Sequence, residues 1–188
     1  MTQTAASRLD QLEGRWAIDP AHSNFDFVAK HMMVSKVRGS FDEFEGSFTV
    51  DPDVAKSSAQ VTLKAASVDT NHPDRDAHLR SPDFFDVERF PDITFRSTRV
   101  EVISADRSRM TGDLTIKDVT KPVTLDVVFD DYVAKDAFGS ARAGFSASTK
   151  VNREDFGLVW NVALEAGGVL VSKEITLDLQ IAATRIEE

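Results

Sequence analysis

Cysteine is absent from the 188 residues, so disulfides, thiolate metal centres and thiol nucleophiles are all excluded. No stretch approaches the ~20 apolar residues of a membrane-spanning helix. The opening MTQTAASRLDQLEG has neither a basic start nor the apolar run of roughly 7–15 residues of a secretory signal. A soluble, cytoplasmic chain is expected, and Met1 makes a processed mature form the less economical reading. Basic patches are also missing: 22 Lys and Arg are scattered among 31 Asp and Glu, for a net charge of −9. That sign opposes binding to nucleic acid and to anionic membranes. Tyrosine occurs once and tryptophan twice, against 13 phenylalanines. Phenylalanine has no polar group to satisfy, which suits a deep, dry wall.

The dominant pattern is alternation with period two, the mark of half-buried strands. In Ser23–Met32, Phe25, Phe27, Ala29 and His31 share a face; Val61, Leu63 and Ala65 follow the same rule. So do Val123, Leu125, Val127 and Phe129; then Phe145, Ala147, Thr149 and Val151; then Ile175, Leu177, Leu179 and Ile181. A wet face and a dry face repeated this often indicate an antiparallel sheet. The phase slips between Phe41 and Phe44, and again within Ile93–Ile103, predicting bulges, the first near Asp42–Glu43. Bent strands let a sheet curl into a barrel without exposed edges.

Asn71–Pro91 breaks the pattern and predicts a helical crossover with two short runs, Pro73–Arg80 and Pro82–Val87, capped by His72 and Ser81. Asn152–Val171 reads as a loop or short helix. Residues 1–14 form an extension, frayed or briefly helical on Leu9 and Leu12, and residues 15–186 form one domain.

Several pieces, in order and at compatible spacing, resemble the YceI-like family from about Trp16 to Ala182. They are WAIDPAHSNFDF (Trp16–Phe27), His31, GSFDEFEGSF (Gly39–Phe48), SVDT (Ser67–Thr70) and RDAHLRSPDFFD (Arg75–Asp86). FPDITFRST (Phe90–Thr98), GDLTIKDVTKPV (Gly112–Val123) and NREDFGL (Asn152–Leu158) complete the set. One departure is Asp118, where the family usually has glycine; aspartate tolerates positive φ, so the hairpin there is expected to survive. The resemblance implies an all-β, lipocalin-like barrel of eight antiparallel strands with a short helical crossover insertion. It also implies an interior tunnel that binds a polyisoprenoid or isoprenoid quinone, with no other cofactor and no catalysis.

Strands of about ten residues span roughly 34 Å, and eight of them leave room for one slim ligand. Phe25, Phe27, Phe41, Phe44, Phe48, Phe95, Phe129 and Phe145 are the expected wall, some of them facing outward because their parities differ across the bulges. Leu79, Phe84, Phe85 and Phe156 are expected to touch the ligand from the crossover and the NREDFG turn. His31, Arg75, His78 and Arg153 are the candidates for a polar mouth, with Arg153 able to attract an anionic head group.

Rival readings stand beside each of these. The phenylalanines could simply fill a solid barrel, as in a stress-response or interaction protein without ligand. His31 is equally a satisfied structural histidine. Arg75 and Asp76 could pair to lock the crossover helix, while Asp76 and His78 are the one combination resembling an acid–base pair, for a prenylated or amide substrate. No nucleophile elbow, phosphate loop or EF-hand pattern accompanies it. The histidines lack metal-binding spacing, although His72, Asp74, Asp76 and His78 could attract a stray ion. An apolar barrel rim also offers a surface for homodimerisation.

Overall fold

A computed structural model of the chain describes residues 10–187. Most of the expected N-terminal extension therefore lies outside the described residues. Among the described residues there are eleven strands: β1 (Gly14–Ile18), β2 (Asn24–His31), β3 (Ser35–Phe41), β4 (Phe44–Val50), β5 (Ser58–Lys64), β6 (Val68–Asp69), β7 (Asp92–Val102), β8 (Arg107–Ile116), β9 (Val119–Val133), β10 (Arg142–Asn152) and β11 (Glu174–Arg185). One helix, α1 (Pro73–Arg80), lies in the crossover between β6 and β7.

The strands form an eight-stave antiparallel barrel, in the order β1-β4-β5-β7-β8-β9-β10-β11, closed by β1 pairing with β11. The remaining strands extend existing staves. β2 continues β1 along β11, with β1 opposite Ala183–Arg185 and β2 opposite Thr176–Gln180. β3 and β4 are likewise one stave broken at Asp42–Glu43, where the slip in alternation places the bend. A second register shift falls at Ser97–Arg99 in β7, also as expected, and a third, unanticipated, at Gly144–Phe145 in β10. Close approach explains two glycines. A Cβ on Gly39 would lie 2.3 Å from Phe27, and one on Gly112 would lie 2.4 Å from Phe95, so each ring covers a glycine on the neighbouring strand.

The two ends of the barrel close differently. At the terminal end, which carries the β4–β5, β7–β8 and β9–β10 connections, a 3₁₀ turn at Asp10–Leu12 brings Leu12 under the sheet. Leu12 and Trp16 are fully buried beside Phe129, Ala143 and Ala183. The Trp16 indole donates to the Leu12 carbonyl at 2.7 Å, and Arg185 lies over the ring at 4.8 Å. At the opposite, crossover end, Phe84, Phe156 and Leu158 are buried against Phe41, Ile93, Leu114 and Val123.

Two expectations need correction here. Pro82–Val87 is not a second helix. Its Phe85 and Val87 amides donate to the Leu79 and Arg80 carbonyls at 2.9 and 3.1 Å, so the segment folds back to satisfy the open end of α1. In the β8–β9 hairpin, positive φ falls on Lys117 (58°), not on Asp118. The hairpin survives because the strain sits one residue earlier.

Arg142 ties the β1–β2 turn to the β9–β10 hairpin, donating to Asp19 at 2.7 Å and to Asp136 at 2.5 Å. The Arg142 hydrogen bond, aided by His22, lowers the Asp19 pKa from 3.8 to about 2. A depressed carboxylate pKa contributes stability above its unfolded value that disappears as pH falls through its folded value. Asp19→Asn is therefore expected to destabilise the barrel at pH 7. The deficit should close between about pH 4 and pH 2, read as urea midpoints of both proteins across that window.

Candidate functional site

The barrel is hollow. It encloses a cavity of about 240 Å³, room on the order of twenty water-sized groups at roughly 10–15 Å³ each. Phe25, Phe27, Phe41, Phe48, Phe95, Phe129 and Phe145 all line it. The expectation that some of the eight phenylalanines, Phe44 included, face outward is overturned, because the breaks at Asp42–Glu43 and Ser97–Arg99 each insert the residue needed to restore inward parity. Phe44, opposite the wall residue Leu63, shares the inward face and packs on Phe25 with ring centroids 4.5 Å apart, without itself lining the cavity. The other half of the wall is aliphatic: Val100 of β7, Met110 and Leu114 of β8, Leu125 of β9, Leu177 and Leu179 of β11. Sequence reasoning passed over these residues as wall, although several lie on the period-two faces that revealed the strands.

The crossover residues are brought together, but beyond the cavity floor. Phe84, Phe156, Leu79 and Phe85 pack into the core cluster at that end. Phe85 meets the wall residue Phe41 edge-on at 5.5 Å. Arg75 and Asp76 do lock α1, through a shared third residue and not through each other. Thr70 donates to the Asp76 carboxylate from its amide at 2.9 Å and its hydroxyl at 2.5 Å. Arg75 donates to the Thr70 hydroxyl and carbonyl at 2.7 and 2.8 Å. His72 caps the helix by accepting from the Arg75 amide at 3.2 Å. Thr70 belongs to the SVDT piece, which now has a physical role: it is the anchor for the RDAHLR helix.

His78 shares a 2.8 Å hydrogen bond with Asp83 and meets Phe84 and Trp160 edge-on at 5.1 and 4.5 Å. The Asp76–His78 acid–base pair required for an enzyme acting on a prenylated or amide substrate is not formed, since each side chain is held by another partner. Nor do His72, Asp74, Asp76 and His78 converge. Among the described residues, no group of three or more His, Asp or Glu is arranged to hold a metal. No helix among them is long and apolar enough to cross a membrane.

Arg153 is 5 % exposed and is not at a mouth. Its guanidinium donates to the carbonyls of Ser172 (2.9 Å), Leu158 (2.6 Å), Trp160 (3.0 Å) and Val171 (3.3 Å), and it lies 6.0 Å from the Phe84 ring centroid. Burial pulls its pKa below the ordinary value, opposed by nearby Glu154. A loop without regular structure must satisfy its buried carbonyls somehow, and Arg153 does this for 158–172. His31 ends β2 at the same end of the barrel, opposite Ser35 and bridged to Val171, outside the cavity wall.

The four residues proposed for a polar mouth thus cluster at the crossover end, which Phe84, Phe156 and Leu158 seal. At the terminal end the lining runs out into the β4–β5 loop at Val54 and Ser57 and into the β7–β8 hairpin at Ser104, Ala105 and Asp106. Val102 lines the cavity there and is 48 % exposed. The opening is on that side.

Comparison with known proteins agrees with this architecture. The family model of the YceI-like domain matches residues 16–183. A UPF0312 protein of Staphylococcus aureus (strain N315) is 38 % identical over 164 residues, covering 87 % of this chain and 93 % of that protein. The crystal structure of BcnA from Burkholderia cenocepacia superposes with a TM-score of 0.76 at 26 % identity, covering 89 % of this chain and 99 % of that one. A polyisoprenoid-binding domain from Saccharophagus degradans has a TM-score of 0.69, covering 91 % and 98 % of the two chains. At 15 % identity that likeness establishes the fold alone.

Different roles for the two polar residues imply different costs of removal. Arg153→Ala strands several carbonyls and is expected to cost more than about 3 kcal/mol. His78→Ala, losing a half-exposed pair and two edge-on ring contacts, should cost about 1–2 kcal/mol. Urea unfolding of both variants checks the ranking, and equal midpoints would contradict the assigned role of Arg153.

Proposed function

The chain belongs to the YceI-like family, and on that premise we propose that it binds one long isoprenoid chain inside the barrel, holding or carrying it without covalent chemistry. The observation that carries this reading is the hollow itself: an elongated apolar chamber walled by seven phenylalanines and by aliphatic side chains. Had those rings met on the axis, the barrel would be solid and the binding reading would have no site.

The energetics suffice. Filling the chamber with about twenty methylene-sized groups gives about 16 kcal/mol at roughly 0.8 kcal/mol each. Ordering and association cost roughly 4–15 kcal/mol, leaving about 1–12 kcal/mol; micromolar or tighter affinity needs no polar contribution when that cost stays below about 8 kcal/mol. A branched, unsaturated prenyl chain suits the narrow bore because its repeated double bonds leave fewer rotors to immobilise. The Saccharophagus domain, whose fold this chain shares, is described as polyisoprenoid-binding, which supports the reading at the level of architecture.

Native mass spectrometry of protein purified without detergent, then offered a prenyl alcohol of about twenty carbons, matched to the room in the chamber, tests the proposal. One lipid per chain is expected. Ala147 lines the cavity from mid-β10, opposite Val127 and Leu179. Ala147→Trp should fill the bore and weaken binding at least tenfold while circular dichroism still reports an intact barrel. A wild-type barrel that is recovered empty and ignores the added prenyl lipid would overturn the proposal.

A further inference from the structure

We infer that the tip of the β2–β3 hairpin docks the protein on an anionic bilayer surface. Met32, Met33 and Val34 enter the interfacial layer, and Lys30 and Lys36 meet the negative charge of the lipids. The inference does not rest on the lipid-binding reading. It concerns the outer surface of the sealed end, and it leaves the opening at the opposite end facing away from the bilayer.

The turn carries two costs that a plain connection would avoid. Met32 and Met33 sit in the left-handed region, at φ 51° and 61°, where a tight hairpin turn favours Asn-Gly. Both are also half-exposed, and Val34 is 90 % exposed. Single apolar residues are ordinary on a surface, but three in succession call for a partner. The tip is built, not loose. The His31 carbonyl accepts from the Val34 amide at 3.1 Å, the Met32 amide donates to the Leu170 carbonyl at 2.7 Å, and the Ser172 amide donates to the Lys30 carbonyl at 3.0 Å. A Cβ on Gly168 would lie 3.2 Å from Met33, so that side chain runs beside the loop 158–172. Val162 of this loop is half-exposed too, and its carbonyl accepts from Leu170 at 2.9 Å. Two segments thus hold one apolar surface in place.

Charge selects the occupant. The chain carries −9 overall, yet residues 28–40 contain Lys30, Lys36 and Arg38 and no Asp or Glu. Arg38 is engaged by Asp26 and Asp178 at 3.3 and 3.2 Å. Lys30 and Lys36 are exposed and stand directly opposite each other across the hairpin, a repulsive arrangement. Among the described residues the lysines held in ion pairs are Lys56, Lys64, Lys150 and Lys173, not these two. An anionic bilayer supplies the missing counter-charge at its surface and apolar depth beneath it. A second copy fits less well, because a two-fold dimer would set this patch against itself, lysines toward lysines. A three-residue tip is also small beside the roughly 800 Å² per partner of a stable protein interface. The one acid in 158–172 is Glu165, in the turn closed by the Gly167 amide on the Leu164 carbonyl, and its charge opposes docking.

Flotation of the full chain with vesicles tests the inference, comparing an equimolar mixture of phosphatidylcholine and phosphatidylglycerol with phosphatidylcholine alone. Binding to the mixed vesicles is expected to be about tenfold tighter and to weaken as salt rises. Met32→Asn combined with Met33→Gly places preferred residues in the turn, so the thermal midpoint should hold or rise while vesicle binding weakens about tenfold. Lys30→Gln combined with Lys36→Gln should abolish the preference for charged vesicles, and Glu165→Lys should strengthen it about threefold. Phe138→Ser, which removes the 87 % exposed ring of the β9–β10 hairpin at the terminal end, should change nothing. Equal binding to both kinds of vesicle, binding to neither, or binding that survives the Met32 and Met33 double substitution overturns the inference. Loss of binding through Phe138→Ser overturns it too, by moving the contact to the terminal end. So does self-association of the wild type, in place of vesicle binding, that the double substitution abolishes: the tip would then belong to a second copy.

Discussion

Closure of the sheet is the constraint on which the rest of the structure depends. β1 must pair with β4 on one side and β11 on the other, and it is only five residues long. Without that short strand the barrel has two open edges, and a long unpaired edge invites association with other chains. The plug of Leu12, Trp16 and Arg185 is therefore more than an end cap. Trp16 is both a residue of β1 and the largest fully buried side chain, so burying it stabilises the pairing that closes the ring. Arg185 reinforces this from β11, donating to the backbone carbonyls of Glu13 and Gln11.

Closure also decides how the interior is used. Bends at Asp42–Glu43, Ser97–Arg99 and Gly144–Phe145 curve the staves and turn their rings inward together. Because Phe27 lies over Gly39 and Phe95 over Gly112, these rings lie near the sheet and do not reach across the axis. A wall of flattened aromatics around a bore differs physically from a packed aromatic core, and the glycines permit the former.

The two ends solve the problem of backbone polarity in parallel ways. Arg153 and Arg185 both spend their donors on carbonyl oxygens of irregular segments, and each lies near an aromatic ring, Phe84 and Trp16 respectively. Arginine serves here because its planar fork reaches several acceptors at once. The crossover end is sealed by this means together with the Thr70–Asp76–Arg75 clamp, while the terminal end keeps one sector open. Residues chosen as a polar mouth on chemical character alone, His31, Arg75, His78 and Arg153, gather at the sealed end. Charge and hydrogen-bonding capacity mark a residue as needing partners. They do not say whether those partners belong to a ligand or to the chain's own carbonyls.

Period-two alternation made the strands, their antiparallel pairing and the dry inner face legible in the sequence, because that pattern is a local property of each segment. The slips at Asp42–Glu43 and in β7 were legible for the same reason, as was α1 behind Pro73. The common inward direction of the seven phenylalanines was not, since a bulge changes the parity of everything beyond it by an amount that only the paired strand defines. Which end of the barrel is sealed was decided by contacts between distant segments: Arg153 with Ser172, Phe84 with Trp160, Leu12 with Ala183. Such contacts exist only after the ring has closed, and so the tertiary structure alone determined where the chamber opens.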